Sequence, residues 1–216
     1  MRSHINAKTI VIATAIAAAS LATSNAFAWS AAKIIAKAVA EVKNANSTTV
    51  AATGTVEVAF SPDEGAENLV IKVINSAHSS IHMLAYSFTS APVTQALLDA
   101  KHRGVDVKLV ADYENNLEVD RNGKFKSPKA VAALSALATA GVDVRTIKVY
   151  PIHHDKVILA DQQSVELGSF NYSDAAAHRN SENVLVNWNN PALAKVYEGH
   201  FERNYARSQV FVNPRY

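Results

Sequence analysis

Residues 154–171 read HDKVILADQQSVELGSFN, and this stretch decides both the fold and the chemistry that we expect. It sets an imidazole (His154), an ammonium (Lys156), a carboxylate (Asp161), a hydroxyl (Ser169) and an amide (Asn171) at fixed spacing. An imidazole can act as a nucleophile or carry a proton, and a cation with neutral donors beside it can offset the charge of a phosphate. The stretch therefore suits the handling of a phosphate diester.

The pattern of apolar residues within this stretch predicts two strands joined by a turn. We expect the strands at His154–Ala160 and Val165–Leu167. On one strand His154 and Lys156 leave the same face, with alpha carbons about 7 Å apart, so that both can reach one phosphate. Gly168 is expected to allow a tight turn after the second strand.

The rest of the chain from Thr55 onward alternates between strand and helix patterns. The further predicted strands are Val56–Phe60, Ser80–Tyr86, Val105–Ala111, Val142–Ile147 and Asn183–Asn187. The predicted helices begin at Ser61, Pro92, Ser127 and Pro191, and a polar loop covers Asp112–Lys126. This alternation predicts an α/β fold, a sheet with helices on both of its faces.

Composition limits the class of protein. The chain has 216 residues, of which 49% are hydrophobic, which is enough for one sizeable domain with a buried core. It has no cysteine, which excludes disulfides, a thiolate nucleophile and a cysteine-based zinc site. The formal charge is +2, and it becomes 0 without Arg2 and Lys8, so any field that attracts phosphate must be local.

The first 28 residues are typical of an export signal. A basic start is followed by an apolar, alanine-rich run from Thr9, and Ala26-Phe27-Ala28 offers a cleavage site before Trp29. The alternative is an uncleaved anchor, since the run approaches the length of a membrane span. In either case we expect a periplasmic or secreted catalytic part, with membrane contact only if this segment is retained.

Residues 29–55 differ in character from both flanking regions. An apolar helical stripe contains Ile34, Ile35, Ala38 and Val42, and a linker rich in small polar residues follows it. The stripe predicts a helix packed on the core or on a partner, with a membrane-surface helix as the alternative. We therefore expect a signal peptide at 1–28, an N-terminal helix and linker at 29–55, and a catalytic domain at 56–216.

The spacing within residues 154–171 resembles the HxK(x4)D(x6)GSxN signature of the phospholipase D superfamily. The chain carries one copy, as do the small secreted or periplasmic Nuc-type endonucleases of that family. Segments similar to the flanking regions of this subgroup are residues 56–62, 83–88, 103–107 and 180–183. The resemblance implies a mixed β-sheet flanked by helices on both faces, the phospholipase D/nuclease-like fold.

The resemblance also implies roles for individual residues. His154 would attack phosphorus and form a phosphohistidine, while Lys156, Ser169 and Asn171 would bind the phosphate oxygens. Glu182 lies where the subgroup has an acid hydrogen-bonded to the motif histidine, and Asp161 would support the motif turn. A second histidine is required to protonate the leaving oxygen, and a chain with one motif would obtain it from a second copy in a homodimer. No metal or cofactor is implied.

Three functions remain open from the sequence. The first is a non-specific, metal-independent endonuclease acting on DNA or possibly RNA, in which the cationic loop Arg121–Lys126 either contacts the nucleic acid strand or is a plain solvated loop. The second is a phospholipase D-type enzyme that hydrolyses or transfers phospholipid headgroups, and the third is a binding module with an inactive site.

A zinc site at His153, His154 and Asp155 is disfavoured because neighbouring strand residues point to opposite faces. The remaining histidines are predicted to be ordinary surface or core residues: His78, His82, His102, His178 and His200.

Overall fold

The computed structural model describes residue 30, residues 32–37 and residues 47–214. The chain divides into two compact units, Met1–Thr49 and Val50–Tyr216. In the first unit residues 32–37 are helical, while the expected signal peptide and Ala38 to Val42 of the apolar stripe lie outside the described residues. Within the described ranges, no helix combines the length and the apolar character that crossing a bilayer requires.

The second unit is built from strands and helices in alternation. The strands are β1 (Thr55–Ser61), β2 (Ser80–Ala85), β3 (Asp106–Asp112), β4 (Asp143–Ile147), β5 (Lys156–Ala160), β6 (Ser164–Gly168), β7 (Glu182–Trp188) and β8 (Gln209–Val210). The helices are α1 (Ala66–Ser76), α2 (Ala91–His102), α3 (Tyr113–Leu117), α4 (Pro128–Thr139), α5 (Asp174–His178) and α6 (Pro191–Tyr205).

All eight strands form one mixed sheet in the order β1-β7-β6-β5-β2-β3-β4-β8. Strands β2, β3 and β4 are parallel, and every other neighbouring pair is antiparallel. The strands β5 and β6 of the motif are central, and β5 places apolar side chains in the cores on both faces of the sheet. The predicted α/β class with a mixed sheet is confirmed.

Helices cover both faces of the sheet, but unequally. Helices α1, α2 and α4 bury one face in a large core that includes Val70, Leu97 and Leu134. On the other face α6 packs through Ala194 and Phe201 onto β2, β5 and β6. Burial of such side chains contributes roughly 1.5–3 kcal/mol each, so the two cores together hold the motif strands rigidly.

Strand β1 leaves one of its faces uncovered. Glu57 points towards α1, where its carboxylate accepts two hydrogen bonds of 2.8 and 2.9 Å from the Lys72 ammonium. Because side chains alternate along a strand, Val56, Val58 and Phe60 point to the side of α6. These three side chains are 59%, 54% and 49% exposed, and we call them the uncovered strip.

Two local predictions were wrong. Ser61 does not cap a helix but ends β1, where it pairs with Glu182, and α1 begins only at Ala66 after Gly65 in a left-handed conformation. Pairing along all of β1 outweighs the capping signal of the Ser-Pro-Asp-Glu sequence. The predicted polar loop after β3 contains the short helix α3, whose first turn is capped by Asp112 through a 2.7 Å hydrogen bond from the Asn115 N–H.

A buried acid lies in the centre of β6. Glu166 is fully buried, and its Oε2 accepts a 3.0 Å hydrogen bond from the Tyr172 hydroxyl. Burial raises the pKa of Glu166 to about 8, although the Tyr172 hydrogen bond acts to lower it. The native protein therefore holds a neutral carboxylic acid in its core at neutral pH.

We expect the free energy of unfolding of the wild type to depend on pH through Glu166. The Glu166→Gln variant should lack this dependence. The unfolded chain releases the Glu166 proton near its ordinary pKa of 4.5, whereas the native protein keeps it until about pH 8. The free energy of unfolding of the wild type should therefore fall as the pH rises through this window, by up to about 1.4 kcal/mol per pH unit from this group. Urea unfolding at several pH values measures both slopes. The exposed Glu114→Gln variant is the control, and equal slopes in wild type and Glu166→Gln would refute the assignment.

Candidate active site

One edge of the sheet collects the motif residues. His154 lies two residues before β5, which begins at Lys156 rather than at His154 as we expected. Ser169 and Asn171 follow the end of β6, and Glu182 begins β7. Tyr86 follows the end of β2 at the same edge. Antiparallel pairing of β5 with β6 and β2, and of β6 with β7, brings these strand ends together. We call this the site edge.

The two neighbouring histidines differ completely in accessibility. His153 is 3% exposed, and its backbone N–H donates a 2.8 Å hydrogen bond to the Asp112 carboxylate. Burial lowers the pKa of His153, against the opposing effects of Asp155 and Asp112. His154 is exposed, and its ring lies tilted against Tyr86 with 4.6 Å between ring centroids. Of the two imidazoles, His154 is therefore the one that a substrate can reach.

Lys156 places a cation beside His154. Its side chain is almost fully buried, and its Nζ donates a 2.9 Å hydrogen bond to the backbone oxygen of His154. The same Nζ lies 5.1 Å from the ring centroid of Tyr86. Burial lowers the pKa of Lys156, while the charges of Asp155 and Glu182 act to raise it. A partly desolvated ammonium next to an exposed imidazole is a suitable arrangement for binding a phosphate oxygen.

Ser169 and Glu182 are bound to each other. The Ser169 hydroxyl donates a 2.6 Å hydrogen bond to Glu182 Oε2, and it accepts 3.1 Å hydrogen bonds from the backbone and side-chain N–H groups of Asn183. The other Glu182 oxygen accepts a 3.0 Å hydrogen bond from Asn180. Among the described residues, no hydrogen bond joins Glu182 to His154, so the expected orienting contact is not formed. Ser169 is instead positioned to fix the carboxylate.

Asn171 differs from Ser169 in that its side chain has an open bonding position. Its Oδ1 is buried and, among the described atoms, has no hydrogen-bond partner. A buried amide oxygen without a partner costs free energy, so its presence in a native structure calls for an explanation such as a catalytic role, a bound water or a bound ion. The position of Asn171 at the site edge is therefore compatible with the phosphate contact expected of it.

Gly168 is required for a reason other than the tight turn we expected. A Cβ atom at this position would lie 2.1 Å from the backbone oxygen of Asn183. Strand β7 thus passes so close to the end of β6 that only glycine fits. This close approach is what brings Ser169 within reach of Glu182.

Asp161 lies away from the site edge. It follows the end of β5, so that five residue steps of about 3.3 Å separate it from Lys156. Its carboxylate accepts hydrogen bonds of 2.7–2.9 Å from the backbone N–H groups of His78, Ser79 and Ser80 and from the Ser79 hydroxyl. Burial acts to raise the pKa of Asp161, but these hydrogen bonds outweigh it and lower the pKa to about 2. Asp161 therefore anchors the start of β2 to the end of β5.

We expect Asp161→Asn to reduce stability rather than to act at the reacting phosphate. Hydrogen bonds to a charged group contribute more than neutral ones, so the free energy of unfolding at pH 7 should fall by roughly 2–3 kcal/mol. Because the pKa of Asp161 is depressed from 3.8, its contribution is present above about pH 4 and is lost as the pH falls towards 2. Urea unfolding tests this. Asp174→Asn, which removes an exposed partner of Arg179, is the control and should change stability by less than about 1 kcal/mol. An unaltered unfolding curve for Asp161→Asn would rule the anchor out.

The structure also brings residues to the site that the sequence did not mark. Asp155 Oδ2 lies 2.9 Å from Nε2 of His200, which was predicted to be an ordinary histidine.

His82 agrees with that prediction, since it is buried, stacks on Phe201 and pairs with Glu198 at 2.6 Å. In the cationic loop, Lys126 pairs with Glu118. Among the described residues, no group of three or more His, Cys, Asp or Glu side chains is arranged to hold a metal ion.

The chain is similar to known proteins in both sequence and structure. Residues 70–205, more than half of the chain, match the family described as "Cardiolipin synthase, PLD-like domain". A curated relative from Rickettsia bellii, "Phospholipase D", is 38% identical over 131 residues, which are 61% of this chain and 60% of the relative. The match thus spans less than two thirds of that relative's length.

Two solved structures share the fold. The crystal structure of Nuc from Salmonella typhimurium, described as a phospholipase D family member, is 41% identical, has a TM-score of 0.68, and the match covers 73% of this chain and 97% of that one. NucT from Helicobacter pylori is 23% identical with a TM-score of 0.62, and the match covers 73% of this chain and 99% of that one. At this identity NucT shows the similarity of fold alone.

Proposed function

Because this chain belongs to the phospholipase D superfamily, we propose that it is a phosphodiesterase whose substrate is nucleic acid and that it acts as an exported, non-specific, metal-independent endonuclease. The observation that carries this proposal is the exposed imidazole of His154 beside the Lys156 ammonium at the site edge. With no cysteine in the chain, His154 is the strongest nucleophile at this edge.

The proposed reaction takes two steps at a site shared by two copies. Neutral His154 of one subunit attacks phosphorus, a P–N bond forms, and the P–O bond to the leaving alcohol breaks. The protonated His154 of the partner subunit gives its proton to the leaving oxygen. That imidazole then removes a proton from water, whose oxygen attacks phosphorus and breaks the P–N bond. Lys156 offsets the phosphate charge in both steps.

The uncovered strip supports a second copy as the partner. Val56, Val58 and Phe60 present an apolar face that α6 does not cover, and such faces are characteristic of association surfaces. The strip runs to the site edge, because Phe60 lies opposite Asn183, which binds Ser169. Two copies related by a twofold axis at this face would bring their site edges near each other.

Similarity to Nuc over nearly the whole of that chain supports nucleic acid as the substrate. The surface next to His154 is also polar, with His200, Arg203 and Asn204 among the residues that line it. A strand of nucleic acid is a polyanion, and arginine side chains beside the nucleophile favour it.

Nicking of supercoiled plasmid in excess chelator tests the proposal. We expect nicked and then linear DNA to accumulate at a rate that the chelator does not change. No cleavage of DNA or RNA by purified protein would contradict the nuclease function, and activity that the chelator abolishes would contradict the metal-free mechanism.

A phospholipid substrate is the second candidate. The side chains of Val149 and Ile152 are exposed near His153, and apolar side chains beside a site can contact a membrane surface. The name of the Rickettsia bellii relative, "Phospholipase D", points the same way. Release of choline from phosphatidylcholine vesicles by a protein that leaves plasmid intact would establish this function instead.

A further inference from the structure

We propose that a cleft between α6 and the chain before β5 binds a second phosphate of a polynucleotide, next to the one that is cleaved. This inference rests on the proposed nuclease function and specifies how the substrate is held. The cleft has a volume of about 560 Å³, and His154 is part of its wall. Its size lies within the range of ligand sites, which are commonly 300–1,000 Å³.

Two arginines, one in the last turn of α6 and one just after this helix, form the opposite wall. Arg203 and Arg207 line the cleft and are exposed. A guanidinium NH1 of Arg207 donates a 3.2 Å hydrogen bond to the Tyr150 hydroxyl, which holds it at the rim of the cleft. Planar guanidinium groups bind phosphate with two parallel hydrogen bonds and are common where phosphate is recognised.

The charged side chains of the cleft give it an excess of positive charge. His200 Nε2 lies 2.9 Å from Asp155 Oδ2, and His200 Nδ1 contacts a guanidinium nitrogen of Arg203. Since the guanidinium can only donate, Nδ1 accepts from Arg203 and Nε2 donates to Asp155. Asp155 then contributes one negative charge against the two positive charges of Arg203 and Arg207.

A buried imidazole also belongs to the wall of this cleft. His153 lines the cleft and is 3% exposed, and its Nε2 is buried without a hydrogen-bond partner among the described atoms. Burial lowers the pKa of His153, which favours the neutral form of its ring. An ordered water that links this nitrogen to the bound phosphate would satisfy it.

The position of the cleft favours a substrate that has more than one phosphodiester. His154 and Lys156 hold the diester that reacts, and the cleft extends from His154 to the arginines. A substrate with a single phosphodiester fills only the reactive position. In a polynucleotide the neighbouring diester follows at a fixed covalent distance, so that it can bind the arginines at the same time.

Short oligonucleotides of different length provide the test. Thymidylyl-thymidine has one phosphodiester, and a thymidine hexamer has five. We would measure kcat/KM for both with wild type, Arg203→Gln and Arg207→Gln, and we expect each substitution to lower the ratio of hexamer to dinucleotide kcat/KM by about tenfold. Lys195→Gln is the matched control, since it removes an equal charge from the first turns of the same helix, beside Asp161, and should keep the wild-type ratio.

The outcomes separate this inference from the function on which it rests. A ratio that stays at the wild-type value in both arginine variants, or that falls equally in Lys195→Gln, would overturn the second phosphate site while leaving the nuclease intact. Failure of wild type to cleave either oligonucleotide, with hydrolysis of bis(4-nitrophenyl) phosphate retained, would overturn the nuclease function itself. If a glutamine variant has a lowered melting temperature, Arg203→Lys and Arg207→Lys keep the charge and should show a smaller fall in the same ratio.

Discussion

The His154→Asn variant is expected to lose phosphodiesterase activity by at least about 10⁴-fold while keeping its fold. Asparagine cannot form the P–N bond or carry the proton, and the substitution removes both imidazoles of the proposed dimer at once. His154 is exposed and contacts Tyr86 through its ring, so its loss should alter the melting temperature little. Initial rates on plasmid and on bis(4-nitrophenyl) phosphate measure the effect.

His102→Asn is the matched control for this change. His102 is exposed in the last turn of α2, away from the motif strands, and we expect its replacement to leave both rates at the wild-type level. Residual activity above about one hundredth of wild type in His154→Asn would show that another group serves as the nucleophile. In that case trapping of a phosphohistidine should also fail.

The Val58→Asp variant is expected to be monomeric and to lose nearly all activity at low protein concentration. Val58 is the middle residue of the uncovered strip, and a carboxylate there would have to be buried against a second copy. Burying an unpaired charge costs several kcal/mol, and about 4 kcal/mol corresponds to a dissociation constant raised roughly 10³-fold. Sedimentation and activity measured over a range of protein concentrations test both effects together.

Val212→Asp supplies the comparison for this interface. Val212 is 79% exposed and follows β8 at the other end of the sheet, so the same change there should leave both association and activity intact. A Val58→Asp protein that sediments like wild type and stays active would show that the strip is not the association surface. A wild-type protein that is monomeric and fully active would remove the need for a second copy.

The motif allowed much of the site to be predicted, because its residues are close in sequence and the two strands that carry them are joined by a short turn. His154, Lys156, Ser169 and Asn171 all come to one edge of the sheet for this reason. Asp161 belongs to the same motif, yet the direction of β5 takes it to the other end of the strand. Spacing alone predicts which residues belong together, and the strand direction decides which of them can face the substrate.

Contacts between distant parts of the chain could not be predicted in the same way. The hydrogen bond that the Ser169 hydroxyl donates to Glu182 depends on how closely β7 approaches Gly168, which no local pattern encodes. His200 and Arg203 reach the site because α6 crosses the sheet on that face, and the helical pattern of α6 does not indicate what its last turns will contact. Similarly, alternation identified β1 as a strand, but the exposure of Val58 depends on which strands α6 covers.

The proposed reaction requires one site built from two chains, and mixed dimers test this most directly. Wild-type and His154→Asn chains would carry different affinity tags, be expressed together, and be purified through both tags so that only hybrids remain. With one imidazole missing, the hybrid lacks either the nucleophile or the proton donor, and we predict less than about 1% of the activity of the wild-type dimer. Hybrids that retain half or more of the wild-type activity would contradict the shared site, because each chain would then work alone.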